Sequence, residues 1–322
     1  MDKPYDMLVI TGPTASGKTT LAAHIAHQLQ GEIISADSRQ VYRNMNIGTG
    51  KDYSDYVIDN NKIQFHLIDI ADPGYKYNVY EYQHDFIKVY EDLIKRKKFP
   101  IVCGGSGMYI DSIISGYRLV QVPADEELRS RLEALSMEDL TKILSSFKRL
   151  HNTSDVDSRK RAVRAIEIEE YYLKSTPVQN DFPEIKSLVV GVMPDRETRR
   201  QKISSRLKQR IKEGMVEEVK QLLENGVDSE TMIYYGLEYK YITLYLKNIL
   251  TFDEMFSGLE IAIHQYAKRQ MTWFRGMERK GTEIRWLDSN MPLEDKIEKV
   301  ISWLDEGAGA DLTSSSSPSA RL

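Results

Sequence analysis

Short apolar runs separated by amphipathic stretches set the frame of this chain. Met7-Leu-Val-Ile-Thr11 is apolar throughout and reads as a short buried strand. Gly17 to Leu29 follows, with small and apolar residues on one face and Gly31 just past its end, which predicts a helix. Glu32-Ile-Ile-Ser-Ala36 predicts a second strand, Gln64-Phe-His-Leu-Ile-Asp-Ile70 a third and Pro100-Ile-Val-Cys103 a fourth. Between the last two, Asn78 is placed to N-cap a long helix. That helix ends in Lys95-Arg-Lys-Lys98, charges that suit the negative end of a helix dipole. Strand and helix alternating in this order predict a parallel α/β sheet.

From about Tyr117 the alternation stops. Residues 125 to 175 carry helical patterning alone, with breaks near Leu135-Ser136 and His151-Asn152-Thr153, and read as a helical insertion. Lys186-Ser-Leu-Val-Val-Gly-Val-Met193 returns to the sheet. Asp195 to about Lys280 is mostly helical, interrupted at Asn225-Gly226 and Tyr235-Gly236. Glu283-Ile-Arg-Trp-Leu287 predicts a last strand and Leu293 to Leu304 a last helix. The tail from Gly307, with Ser314 to Ser317 in a row, has the composition of a disordered segment. The expected division is therefore a core in 1–116, a helical insertion in 117–180, the rest of the core in 181–306 and a tail in 307–322.

The chemistry begins between the first strand and the first helix. Gly12-Pro-Thr-Ala-Ser-Gly-Lys-Thr19 has the spacing G-x-x-x-x-G-K-[ST] of a phosphate-binding loop. Backbone N–H groups of such a loop, with the helix N-terminus, cradle linked phosphates. Lys18 adds a point charge and the Thr19 hydroxyl is a ligand for Mg²⁺. The competing reading, a glycine-rich turn that merely caps a helix, lacks support when strand and helix both flank the loop.

Two carboxylates close predicted strands, Asp37 and Asp69. Ligands of doubly wound sheets sit beyond the carboxyl ends of strands, so both are expected to face the cradle, as a base or as a water-mediated Mg²⁺ ligand. Each could equally be a local cap. Asp37 is followed by the donor-rich Ser38, Arg39, Gln40 and Tyr42, which suggests recognition of a second substrate. A second glycine loop, Gly104-Gly-Ser-Gly107, precedes another helix, a weaker signal because such turns use glycine for geometry alone.

Net charge is −4 and hydrophobic content 41% over 322 residues, enough for a large core but no mark of a nucleic-acid binder. Basic residues nevertheless cluster on three predicted helices: Arg159 to Arg164, Arg196 to Lys212, and Lys268 to Lys280, the last with Tyr266, Trp273 and Phe274 between them. Each cluster alone is explained by a solvated face. Three together, all outside the sheet, fit an RNA backbone. The single cysteine, Cys103, excludes a disulfide framework and a multi-cysteine zinc site. With no signal pattern and no apolar run of membrane length, a cytoplasmic protein is expected.

Longer strings carry a resemblance. Gly12 to Thr19, then S-A-D-S-R-Q-V-Y-R-x-M-x-I-G-T-G-K (Ser35 to Lys51), H-L-I-D-I (His66 to Ile70), G-G-S-G-M-Y-I (Gly104 to Ile110), R-A-I-E-I (Arg164 to Ile168) and Y-A-K-R-Q-M-T-W-F-R (Tyr266 to Arg275) resemble the tRNA dimethylallyltransferase family. The likeness spans roughly residues 7 to 288. Three departures are visible: Ser106 stands where threonine is usual, Gly236-Leu-Glu-Tyr239 replaces G-Y-[KR]-E, and the helix around Arg206 is slightly shortened.

The resemblance implies a P-loop NTPase-like parallel sheet core with a helical insertion and additional C-terminal helices. It implies transfer of a dimethylallyl group from its diphosphate to N6 of the adenosine 3′ of the tRNA anticodon, using Mg²⁺; a monomer is expected. Catalytic roles then fall to Asp37, as general base, Lys18 and Thr19, with Thr19 the metal ligand. The diphosphate falls to Gly12, Pro13, Thr14, Ala15, Ser16, Gly17, Lys18, Thr19, Arg206 and Arg210. The anticodon stem-loop falls to Asp37, Ser38, Arg39, Gln40, Ser106, Lys160, Arg161, Ala162, Val163, Arg164, Lys268 and Arg269. Two other readings share the core: a P-loop kinase in which Asp37 activates a hydroxyl, and a prenyltransferase acting on free adenylates.

Overall fold

A computed structural model describes residues 4–117, 119–147, 154–174 and 182–306. Its elements in chain order are β1 (Met7–Thr11), α1 (Lys18–Leu29), β2 (Glu32–Ser35), β3 (Val57–Ile58), β4 (Asn61–Lys62), β5 (Phe65–His66), α2 (Val79–Lys95), β6 (Pro100–Gly104) and α3 (Gly107–Ile114). Then come α4 (Glu126–Glu133), α5 (Met137–Phe147), α6 (Arg159–Lys174), β7 (Ser187–Met193), α7 (Arg196–Lys212) and α8 (Met215–Glu224). The series closes with α9 (Ser229–Tyr234), α10 (Leu237–Leu246), α11 (Phe252–Arg279), β8 (Arg285–Asp288) and α12 (Leu293–Glu306). The expected disordered tail, 307–322, and the break at 151–153 lie outside the described residues.

Six strands form one sheet in the order β5-β2-β6-β1-β7-β8, every pair parallel. Strand β1 lies between β6 and β7 and is buried at every position, which is why its sequence is apolar without alternation. Side chains of α1 and α12 (Leu21, Ile25, Val300, Leu304) close over Leu8, Ile10, Ile33, Ile101 and Val190 in one apolar cluster. Because Ile10 and Ser35 both stand opposite Cys103, the loops leaving β1, β2 and β6 emerge side by side at one edge of the sheet. That edge is where a parallel sheet places its ligands.

Helix α2 begins as the sequence predicts. Asn78 accepts from the backbone N–H groups of Tyr80 and Glu81, and Glu81 reaches back to the Asn78 N–H, a complete capping box. The basic run at its end does more than face the dipole: Arg96 forks onto the buried Glu32 of β2, at 2.6 and 2.9 Å. Arg96, with His66 adding, holds the Glu32 carboxyl down at about 2. A depressed carboxyl contributes stability above its unfolded value near 4.5, and loses it as pH falls from there through about 2. Urea denaturation at several pH values is expected to show this acid sensitivity diminished in Glu32→Gln.

The third strand is a correction. Only Phe65–His66 pairs with β2; Leu67 and Asp69 adopt left-handed backbone angles, φ 61° and 56°, which end the strand. The chain then bonds to the preceding loop, through Asp69 N–H to the Gln40 carbonyl and Ile70 N–H to that of Val41. Leu67 and Ile68 are buried without being strand, so apolarity alone misread them. The last strand is also displaced, to Arg285–Asp288. A small hairpin, β3 with β4, went unanticipated; Asp59 and Asn60 both have positive φ in its tight turn.

The chain divides into two compact units, Met1–Tyr117 with Pro183–Leu322, and Arg118–Phe182. In the second, Leu128 and Leu132 of α4, Leu140 and Leu144 of α5, and Ala162, Val163 and Ile166 of α6 make a core of their own. Its buried Glu167 accepts two bonds from Arg129, at 2.9 and 3.0 Å, one from Arg164 and one from the Asp125 N–H. A buried carboxylate so fully partnered is a structural brace.

Candidate active site

A cavity of about 390 Å³ opens at the carboxyl edge of the sheet. Thr14, Lys18 and Thr19 line it from the loop after β1 and from α1. Asp37 to Gln40 line it from the loop after β2, and Cys103 and Gly104 from the end of β6. Gly48, Thr49 and Gly50 contribute from further along the connection after β2, Arg206 and Arg210 from α7, Tyr235 to Lys240 from around the start of α10, and Ile263, Tyr266, Arg269 and Gln270 from α11.

The loop joining β1 to α1 turns through three residues of positive φ, Gly12, Ala15 and Gly17, and a Cβ on Gly12 would stand 2.4 Å from the Val192 carbonyl oxygen. Lys18 reaches the Pro13 carbonyl at 3.4 Å, and no ion pair engages it among the described residues. Burial, reinforced by Arg206 and Arg210, pushes its ammonium below the ordinary lysine range, while Cys103 and Asp37 act the other way. Desolvation and the neighbouring Arg206 likewise bring Arg210 down to about 10. Arg210 Nη2 and Ser16 Oγ are buried without a hydrogen-bond partner. Clustered cations with an orphaned donor describe a site that is completed by an anion.

In the same cavity, Asp37 Oδ1 accepts the Arg39 N–H at 2.9 Å, a local turn, while Oδ2 makes no hydrogen bond among the described residues. Asp37 thus serves as a cap and keeps one oxygen available. Ser106 Oγ accepts the Ser38 N–H at 2.9 Å, tying the second glycine loop to the Asp37 loop. Glu238 also lines the cavity; burial pushes its carboxyl up, and Arg210 opposes that. Asp69, expected to face the cradle, does not line the cavity. It is bonded to Lys51 and Tyr53 instead, because the strand that would have aimed it ends at His66.

Of the remaining expected positions, Arg269 lines the cavity, whereas Lys268 is exposed on the same helix. Lys160 to Arg164 belong to the separate helical unit. There Ala162 and Val163 are core, Arg161 pairs with Asp157, and Arg164 bonds to Glu167 and the Val122 carbonyl.

Gln270 was not singled out by sequence, yet it joins both glycine loops. It accepts the Thr14 N–H at 3.0 Å and donates to the Gly105 carbonyl at 2.8 Å. The Thr14 N–H is therefore already engaged and is not a spare phosphate donor. The second glycine loop owes its composition to α11 and to the residue that follows β2: Cβ atoms on Gly104, Gly105 and Gly107 would stand 2.2 Å from the Ala36 carbonyl oxygen, 2.5 Å from Gln270 Nε2 and 2.4 Å from the Trp273 ring. For Gln270 the sequence signal was its place inside Y-A-K-R-Q-M-T-W-F-R, Tyr266 to Arg275. Gln270→Leu leaves a buried donor and acceptor unpaired. It is expected to cost about 1–3 kcal/mol in chemical denaturation, with a lower melting temperature.

Residues 40–277 match the profile of a single family, described as IPP transferase. The chain belongs to the IPP transferase family. It is 59% identical to tRNA dimethylallyltransferase 2 of Bacteroides fragilis, over 94% of this chain and 99% of that one. To tRNA dimethylallyltransferase 1 of Parabacteroides distasonis it is also 59% identical, over 94% and 99%. Among solved structures, the tRNA isopentenylpyrophosphate transferase of Bacillus halodurans superposes with a TM-score of 0.68 at 29% identity, covering 94% of this chain and 97% of that one. A eukaryotic dimethylallyltransferase acting on tRNA shares the fold, with a TM-score of 0.72 at 22% identity, covering 88% and 74%. The family's sheet and P-loop-like core are those described above. No helix among the described residues is long and apolar enough to cross a membrane.

Proposed function

We propose that this chain transfers a dimethylallyl group from dimethylallyl diphosphate to the exocyclic amine of an adenosine in tRNA, the one immediately 3′ of the anticodon. The observation that carries the reading is one cavity lined both by anion-seeking Lys18 and Arg210 and by Asp37, one of whose oxygens makes no hydrogen bond among the described residues. The family relatives support the same activity by name.

The diphosphate sits on the P-loop N–H groups beyond Thr14, with Lys18, Arg206 and Arg210 around it. As the bond between the allylic carbon and the bridging oxygen breaks, negative charge grows on that oxygen and these fixed cations stabilise it. The adenine amine attacks the allylic carbon. Its lone pair is delocalised into the ring, so removal of its proton by Asp37 raises its reactivity. The products are the N6-dimethylallyl adenosine and intact pyrophosphate. Reaching Asp37 requires the base to leave the loop's stack.

Thr19, through its hydroxyl, and Asp37 would hold the metal at the cradle, with Glu238 a further carboxylate on the lining, and no cluster of three His, Cys, Asp or Glu side chains exists among the described residues. That sparse oxygen set fits Mg²⁺, which keeps its waters and takes substrate phosphates as ligands. Bound there, it would neutralise charge on the diphosphate.

The test is to offer labelled dimethylallyl diphosphate with tRNA, AMP or ATP. Label in tRNA alone is expected. Label in AMP or ATP assigns the free-adenylate reading, and tRNA-stimulated ATP hydrolysis without prenyl transfer refutes the proposal.

A further inference from the structure

We infer that Asp52 is a positioning residue for the diphosphate, holding Arg206 and Arg210 in place from outside the cavity. The inference rests on the reading of those arginines as diphosphate ligands. Both stand one turn apart on α7 and line the cavity with Lys18. Three cations facing one space repel, and without an anion something must keep two guanidiniums side by side.

Asp52 meets that need. Its Oδ2 lies 2.6 Å from Arg206 Nη2 and 3.8 Å from Arg210 Nη2, and no other carboxylate pairs with either arginine among the described residues. Its side chain is about half exposed (49%) and does not line the cavity, so it occupies no volume the diphosphate would need.

The surrounding loop is built to hold that carboxylate still. Glu218 of α8 accepts the N–H groups of Asn46, Ile47 and Gly48 at 2.7, 2.7 and 3.0 Å. Lys51, next to Asp52, is wholly buried and bonded to the Tyr42 carbonyl and Asp69. Between these anchors the backbone presses on the arginines. Gly50 has φ +70°, and a Cβ there would stand 1.9 Å from Arg210 Nη2 and 2.9 Å from Arg206 Nη2. A clamped loop that touches both guanidiniums with its backbone and pairs with them through its next acid is a brace.

The experiment is calorimetric titration of the whole protein with pyrophosphate and Mg²⁺, comparing wild type, Asp52→Asn and Asp52→Glu. Asp52→Asn is expected to weaken pyrophosphate about tenfold, the loss of one charge-assisted positioning contact, with tRNA affinity unchanged and Asp52→Glu recovering most of the loss. In an Arg206→Ala background Asp52→Asn should cost much less, because it acts through that arginine. Equal or tighter pyrophosphate binding by Asp52→Asn overturns the inference, as does an undiminished cost without Arg206, which would mark a general structural effect. Wild type that binds no pyrophosphate overturns the diphosphate reading and this role with it.

Discussion

Asp37→Asn is expected to slow the chemical step by about 10²–10⁴-fold, the range a positioned base contributes. The substitution keeps the oxygen that accepts the Arg39 N–H and replaces the oxygen that makes no hydrogen bond, so the turn survives and the proton acceptor is lost. Affinity for tRNA is expected to change little, since phosphate contacts elsewhere carry most of it. Asp37 is also placed, with Thr19, to organise Mg²⁺, and its roles as base and as metal ligand separate by titration. Single-turnover prenylation by Asp37→Asn should stay slow at every Mg²⁺ concentration. Recovery of the wild-type rate in excess Mg²⁺ would make Asp37 a metal organiser and remove it as the base.

Lys18→Ala is expected to lower turnover by roughly 10²-fold or more, the effect of deleting one fixed charge from a developing anion. The size follows from its setting: a buried ammonium whose one hydrogen bond among the described residues is a long contact to the Pro13 carbonyl is held for a ligand and not for the fold. Its removal relieves repulsion with Arg206 and Arg210, so the variant should melt no lower than wild type. Comparing kcat with the melting temperature checks both statements. A variant that unfolds early while its remaining folded fraction turns over normally would place Lys18 in the architecture.

Much of the site was legible in the sequence because its signals are local. The P-loop needs positive φ at Gly12 and Gly17 and a cation at Lys18, all within one turn of chain. Asn78 announced its helix as an N-cap, which the structure completes as a capping box with Glu81 three residues on. Asp37 followed from the rule that strand ends face ligands, but the same rule misplaced Asp69. Whether an apolar run stays extended depends on backbone angles that Leu67 and Asp69 adopt to meet the preceding loop. What sequence did not disclose is contact across long separations. Gln270 meets Thr14 and Gly105, Glu218 meets Asn46 to Gly48, and Arg206 meets Asp52. No spacing rule connects such partners; only the closed fold brings them together. The basic run of α6 shows the converse, since Arg164 reads as a free cation and is spent on the buried Glu167.

The most direct measurement is of the product itself. The protein is incubated with dimethylallyl diphosphate, Mg²⁺ and tRNA lacking the modification; the tRNA is then cleaved to mapped oligonucleotides and weighed by mass spectrometry, with released pyrophosphate counted in parallel. The account predicts one dimethylallyl unit on the adenosine immediately 3′ of the anticodon and one intact pyrophosphate per modified tRNA. A modified nucleoside elsewhere, orthophosphate in place of pyrophosphate, or unmodified tRNA beside a prenylated free nucleotide would contradict it.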